Sequence, residues 1–326
     1  HASGCVMVAS QRNSGQTAGR VVIESVSNTG LKQWSDAVTL GQYDYLVDAV
    51  ALEDAYVAVI SRRNTFGFDY TQVVGWSKAG ARAWTNSFAR SPFEHAVPSV
   101  VAANATRVAI GMYLEGTTDL PAVAVFGDDG EEIFSSFLTW IEGFPRALAV
   151  DPLGRVTMFS ETRWMNGRMG VLAQRWLPAG TSTFTSFYTD PLIPNNASEA
   201  VSAIAPVNGQ AYGLFKSGTT QGQQSQVTRW IGSNPVQVAR LTSPTQYSNP
   251  IRIQATSDRI LVLDDFKADS GTPLKSRVTV LSNGGAILDQ LQADGDAAVF
   301  ARAFAYGPTR NVAIGAHRFT PSRTLY

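Results

Sequence analysis

The stretch VVGWSKAGARAW, residues 73–84, runs from an apolar strand ending at Trp76 through a small-residue turn at Gly80 to Trp84, four residues past that glycine. The same pairing of a turn glycine with a large apolar residue recurs at Gly30/Trp34, Gly130/Phe134, Gly180/Phe184, Gly232/Val236 and Gly284/Leu288. Counted from Gly30, the steps are 50, 50, 50, 52 and 52 residues. A repeat of ~40 to 50 residues built from short strands predicts a propeller blade, because one small sheet cannot bury both its faces and must stack on its neighbours.

Within one period, residues 98–138 read as four strands, A to D. Val100-Val101-Ala102-Ala103, Val108-Ala109-Ile110-Gly111-Met112-Tyr113, Ala122-Val123-Ala124-Val125-Phe126 and Glu132-Ile133-Phe134 are separated by Asn, Asp and Gly turns. The expectation is therefore an all-β chain, one β-propeller over 1–326. Its approximate units are 1–45, 46–95, 96–145, 146–198, 199–249, 250–297 and a partial 298–326. Trp34, Trp84, Phe134 and Phe184 hold equivalent repeat positions and are expected in the core.

The B strand recurs at Val6, Val57, Val108, Val156, Ala211, Leu261 and Val312, whereas the C–D turn and D strand recur six times. Two closures follow. Either Val299 to Tyr306 completes the first blade of a six-bladed ring, or seven blades exist with an incomplete junction blade. Seven is preferred, since a seventh B strand is surplus in a ring of six; the exposed edges of an incomplete blade suggest a trimmed chain.

The 326 residues carry 26 Lys+Arg against 26 Asp+Glu, and only 16% are charged. This balance offers no basic footprint for nucleic acid or an anionic membrane, and no apolar run reaches the ~20 residues of a spanning helix. Cys5 is the one cysteine, so it has no intrachain disulfide partner. Ala2-Ser3-Gly4-Cys5 loosely resembles a lipoprotein signal, but a small buried residue entering the Val6 strand is preferred. Copper chelation by His1 finds no locally spaced second histidine in His95 or His317.

The A–B and C–D connections are tight Asn/Asp/Gly turns such as Asp151-Pro152-Leu153-Gly154 and Asn28-Thr29-Gly30, while the B–C and D–A connections are longer and varied. Alternate connections leave a blade at opposite ends, so the varied loops share one face. That face collects Tyr43, Tyr45, Phe66, Phe68, Tyr70, Phe93, His95, Trp140, Phe144, Trp164 and Tyr247 beside Arg62, Arg63, Glu142 and Arg163. Aromatics with hydrogen-bonding neighbours suit sugar rings and protein hot spots alike, although about two thirds of them are assigned to packing. The ligand-binding candidates are Tyr45, Phe68, Tyr70, Trp140, Trp164, Arg63 and Arg163.

Val73 to Trp84 and Ala149-Val150-Asp151-Pro152-Leu153-Gly154-Arg155-Val156 together resemble bacterial β-propeller repeats of the SBBP kind. The likeness is spread over nearly the whole chain and fades after Gly180. It implies a secreted or cell-surface bacterial protein, and it brings no common catalytic residues.

The leading expectation is an extracellular, noncatalytic propeller presenting its variable loops to a glycan or surface protein. The rival is a carbohydrate-active hydrolase or polysaccharide lyase, with Glu142, Glu161, Asp69, Arg163 and His95 as candidates and Asp44, Glu94, Glu115 and Arg62 beside them. A third is a structural component of a surface assembly. The Ser-x-Asp-x-Gly-x-x-Trp boxes of sialidase blades are missing at Asn28-Thr29-Gly30 and Lys78-Ala79-Gly80. Asp264-Asp265 with Asp269, and Asp294-Gly295-Asp296, lack regular calcium-loop spacing and read as exposed turn acids, so no metal or other cofactor is expected beyond a weak case for structural calcium. Asn104-Ala105-Thr106 and Asn196-Ala197-Ser198 fit glycosylation acceptors in a eukaryotic source.

Overall fold

The computed structural model describes residues 6–14, 17–27, 29–89, 95–116, 119–139, 141–163, 169–188, 198–207, 209–219, 222–241, 247–256, 258–267, 275–292, 299–306 and 312–318; the side chains of 6–18 and 299–318 lie outside the description. All regular structure in these residues is strand. The first sheet is β1 (Val6–Ser14), β2 (Thr17–Val26) and β3 (Lys32–Thr39). The second is β4 (Tyr45–Ala51), β5 (Ala55–Arg63), β6 (Asp69–Ser77) and β7 (Arg82–Phe88). The third is β8 (His95–Ala103), β9 (Arg107–Glu115), β10 (Leu120–Gly127) and β11 (Glu132–Phe137). The fourth is β12 (Gly143–Val150), β13 (Val156–Arg163), β14 (Met169–Trp176) and β15 (Ser182–Tyr188). The fifth is β16 (Ser198–Val207), β17 (Gln210–Thr219), β18 (Gly222–Ile231) and β19 (Asn234–Arg240). The sixth is β20 (Tyr247–Ala255), β21 (Arg259–Lys267), β22 (Lys275–Ser282) and β23 (Ile287–Gln292), and β24 (Val299–Tyr306) pairs with β25 (Val312–Arg318). Each sheet is a meander in chain order, and β24 pairs with β25 rather than with β1 in the described ladder.

The chain divides into two compact units, His1–Ser160 with Arg175–Ser182, and Glu161–Gln174 with Thr183–Tyr326. In the first unit, the second and third strands of each sheet bury alternate residues on opposite faces, as a strand sandwiched between neighbours must. Ala58, Ile60, Val74 and Trp76 pack with Val21, Ile23 and Val38 of the first sheet. Val57, Val59 and Val73 pack the other way, with Ile110, Met112, Ala124 and Phe126 of the third. In the second unit, Tyr212, Leu214 and Val227 form the matching layer with Ile253, Ile260, Val262 and Leu281.

Gly30, Gly80, Gly130 and Gly180 sit at positive φ in a five-residue turn whose ends are tied by backbone bonds, as in Ser77 N to Ala81 O and Gly80 N to Ser77 O, whereas Gly232 sits in a two-residue hairpin between Ile231 and Asn234. The aromatic four residues on is half-buried, which corrects its expected place in the core. It latches onto the next sheet instead. Trp34 lies on Gly80 and donates its indole N–H to Lys78 O at 3.0 Å; Trp84 lies on Gly130 and donates to Asp128 O at 2.8 Å; Phe134 lies on Gly180. Only glycine leaves room, since a Cβ at Gly80 or Gly130 would stand 2.5 or 2.4 Å from the covering indole. The largest buried side chains are Trp76, Trp176 and Trp230, at or next to the ends of their third strands, followed by Tyr56 and Tyr212 on second strands and by Phe126 at the third-strand position of the third sheet.

Register corrects the last copy of the repeat. The turn glycine at positive φ is Gly285, not Gly284, and Asp289 pairs with Val280 as Trp34 pairs with Ser25 and Trp84 with Gly75. Leu288 is therefore one residue out of step, and β23 is exposed along its whole length. The first strands share another device, a one-residue bulge at Val47, Ser99, Val201, Ile251 and Arg302. At Ser99 the hydroxyl reaches across to Pro145 O at 2.7 Å, tying the third sheet to the first strand of the fourth.

Candidate functional site

Five segments of the first unit converge at the end of the second and third sheets opposite their tight turns: the β3–β4 and β5–β6 loops, the start of β8, the end of β9 and the start of β12. Asn64 shapes the β5–β6 loop, its side-chain oxygen accepting the Phe66 and Phe68 amides while Gly67 supplies positive φ. The result turns Phe66 outward and Phe68 back toward β8. Asp44 docks the β3–β4 loop against it. One of its oxygens accepts the Gly41 amide and Arg62 Nη1, both at 2.7 Å, and the other accepts the Arg63 amide. Arg62 is further fixed by donating Nε to Gln72 and Nη1 to Thr39 O.

At the centre stands Asp69, held side-on by Arg63, whose Nε and Nη2 donate to the two carboxylate oxygens at 2.9 and 3.2 Å. His95 Nδ1 lies 3.0 Å from Asp69 Oδ2, 3.0 Å from the Asp69 amide nitrogen and 3.8 Å from Glu115 Oε2. That nitrogen cannot donate to the carboxylate and accept from the amide together. With carboxylates on two sides, the bond to Asp69 Oδ2 is the one the charges favour. Burial, which by itself raises the Asp69 pKa, is outweighed by the bonds from Arg63 and His95, and the carboxyl is held below its ordinary 3.8.

His95 and Glu115 are directly paired across β8 and β9, and Tyr113, two residues before Glu115, projects from the same side. Tyr113 packs edge-on against Phe144 at 5.2 Å, and Phe68 tilts against His95 at 5.0 Å. Burial raises the Tyr113 pKa above 10.0, and Glu115, Tyr45, Asp119 and Asp69 push it the same way. Tyr43, Tyr45 and Phe66 remain 60%, 42% and 67% exposed around this network. Arg63 lies over the Tyr43 ring at 4.8 Å.

Of the residues singled out from the sequence, Tyr45, Arg62, Arg63, Phe68, Asp69, His95, Glu115 and Phe144 are brought together here. Tyr70 is the second residue of β6, opposite Arg62, and is half-buried. Glu142 is exposed in the loop whose Gly143 amide donates to Asp119 O at 2.9 Å. Glu161 and Tyr247 belong to the second unit. Phe93, Glu94, Trp140, Trp164 and the Arg163 side chain lie outside the described residues, as do Asp269, Asn196 and 294–296. Tyr113, Asp119 and Gln72 were not singled out, although the period-2 relation of Tyr113 to Glu115 already places them on one face.

Asp264 and Asp265 are not exposed turn acids. Both are buried in β21, where Asp264 takes Nε and Nη2 of Arg277 at 3.1 and 2.6 Å and Asp265 accepts Ser276 Oγ. Ser248 donates to Asp264 and is bonded in turn to Ser225. These carboxylates are committed to protein donors, and among the described residues no group of three or more His, Cys, Asp or Glu is arranged to hold a metal. Asn104 is likewise committed: it caps its turn through the Thr106 and Arg107 amides and donates to Asp151 O.

No family model and no curated protein matches the sequence, so the SBBP likeness has no further sequence support. Solved structures do match. The β-propeller domain of the Trilobed protease from Pyrococcus furiosus superposes with a TM-score of 0.54 at 8% identity, over 90% of this chain and 78% of that one. The chain shares the β-propeller fold. A polysaccharide lyase, the PL25 ulvan lyase bound to -[GlcA(1-4)Rha3S]-, matches with a TM-score of 0.51 at 11% identity, over 90% of this chain and 85% of that one. Among the described residues no helix is long and apolar enough to cross a membrane.

Proposed function

We propose that the protein is a noncatalytic, extracellular or cell-surface bacterial propeller that binds a glycan through the loop face around Asp69. The observation that carries this reading is the exposure of Tyr43, Tyr45 and Phe66 beside a pre-ordered Arg63–Asp69–His95 network. Flat rings meet the C–H faces of sugars, fixed polar groups meet their hydroxyls, and neither has to be ordered on binding. Phe68 and Tyr70 belong to the proposed face as its further contacts. We assign the seven sheets to seven blades, the one of β24 and β25 being the partial unit.

A lyase is the second reading, favoured by one feature: Asp69 holds the His95 ring and Tyr113 projects from the same side of the β8–β9 pair, so that a base and a proton donor share one side. The lyase among the structural neighbours adds the fold alone. A glycan array followed by calorimetry tests binding, with Tyr45→Ala and Phe68→Ala expected to weaken a captured glycan at least tenfold. Undiminished affinity in both variants would remove this face. An absorbance increase from unsaturated uronate, lost in His95→Ala, would replace the binding reading with the lyase.

A further inference from the structure

We propose that this site, on the reading that it binds glycans, selects sugars bearing a basic amino group over sugars bearing an acid group. The argument is one of pairing. The two guanidinium groups nearest the exposed tyrosines are already matched, Arg62 with Asp44 at 2.7 Å and Arg63 with Asp69 at 2.9 Å. A sugar carboxylate would have to compete with Asp69 for Arg63, and that carboxylate is held by donors on two sides. The acid groups around Tyr113 are not matched in the same way. Glu115 is exposed, with His95 Nδ1 at 3.8 Å, and Asp119 is tied through its backbone carbonyl by the Gly143 amide. The next guanidinium along this face, Arg146, lies over the Phe144 ring at 6.0 Å, on the β12 side.

An anion bound near Tyr113 is therefore repelled by Glu115 and Asp119, whereas an ammonium group there finds both carboxylates. The Tyr43 ring already accepts one cation in this structure, Arg63. The Tyr113 phenol is pushed up first by burial and then by Glu115, Tyr45, Asp119 and Asp69, of which the three carboxylates are charged at neutral pH.

Hexamers of glucosamine, N-acetylglucosamine and galacturonate test the idea by calorimetry on the full chain, in low-salt buffer that keeps the glucosamine amine protonated. The first two share a backbone and differ in the amine, so the comparison isolates charge. The glucosamine hexamer is expected to bind about tenfold more tightly than the galacturonate hexamer, with the acetylated one between them. Added salt should narrow the gap. Glu115→Gln, at an exposed position where folding is not at stake, should narrow it too. Galacturonate binding as tightly as glucosamine overturns the selectivity while leaving the glycan reading intact. Failure of all three hexamers, with capture of a lysine-rich peptide instead, overturns the selectivity and the glycan reading together.

Discussion

Burial alone would make Asp69 harder to ionise, and Arg63 and His95 reverse that by donating to it. Because its folded pKa lies below the ordinary 3.8, the group contributes stability that is fully present above that value and is lost as pH falls through the folded one. Asp36 behaves alike. Burial raises its pKa, but the bonds from the buried Trp76 indole at 2.7 Å, from the Ala37 backbone and from Arg82 lower it further. Urea midpoints measured from neutral pH down through 3.8 should therefore fall in the wild type, and fall less steeply in Asp69→Asn. Parallel curves would show that the carboxylate is not held by its neighbours. At neutral pH the same variant should lose about 1 kcal/mol, since it breaks a side-on pair at a partly exposed position.

The strand pairs and the latch between sheets are where the sequence was most and least legible. Every strand expected in 98–138 forms, because short apolar runs and the turns at Asn104 and at Asp128-Asp129-Gly130 are local signals. What the repeat residue does was not local. Trp34 and Trp84 look like core residues by size, yet each covers a glycine 46 residues later, and nothing in a single period shows that the partner is the following turn. Leu288 was misread for a related reason: two adjacent glycines at 284 and 285 leave the register open until the ladder fixes it. The site divides the same way. Loop aromatics mark the face, but only β8–β9 pairing joins His95 to Glu115 and Tyr113. Three glycines separate the latch from simple turn geometry. Gly30, Gly80 and Gly130 share φ near +83, +92 and +85, but a Cβ at Gly30 meets nothing within 4 Å. Gly30→Ala should cost about 1 kcal/mol of backbone strain, and Gly80→Ala or Gly130→Ala at least about 2 kcal/mol more from the clash. Trp84→Ala should recover part of the Gly130→Ala loss in a double mutant measured by chemical denaturation. Equal costs at all three glycines, or strict additivity, would leave the latch without energetic weight.

Across the whole molecule, the two compact units are built on different interiors. Sheets two and three of the first unit meet through Val57, Val73, Ile110, Met112 and Phe126, with few polar groups among them. In the second unit, Ser225, Gln226, Thr228, Ser248, Asp264, Arg277 and Thr279 are all buried, and Arg277 also lies over Phe266 at 3.9 Å. Buried ion pairs stabilise little while intact, but removing one member leaves the other charged and desolvated. Asp264→Ala should therefore cost about 3 kcal/mol or more, with Arg277 left to Leu241 O at 3.3 Å as its remaining acceptor among these bonds. Where each sheet touches mainly its sequence neighbours, stability is a sum of local terms, so such damage should stay near its origin. Native-state hydrogen exchange should show β16 to β23 losing protection in this variant while β5 and β6 keep theirs. A uniform loss over all strands would mean that the two units unfold as one cooperative body, and that the repeat does not partition its free energy sheet by sheet.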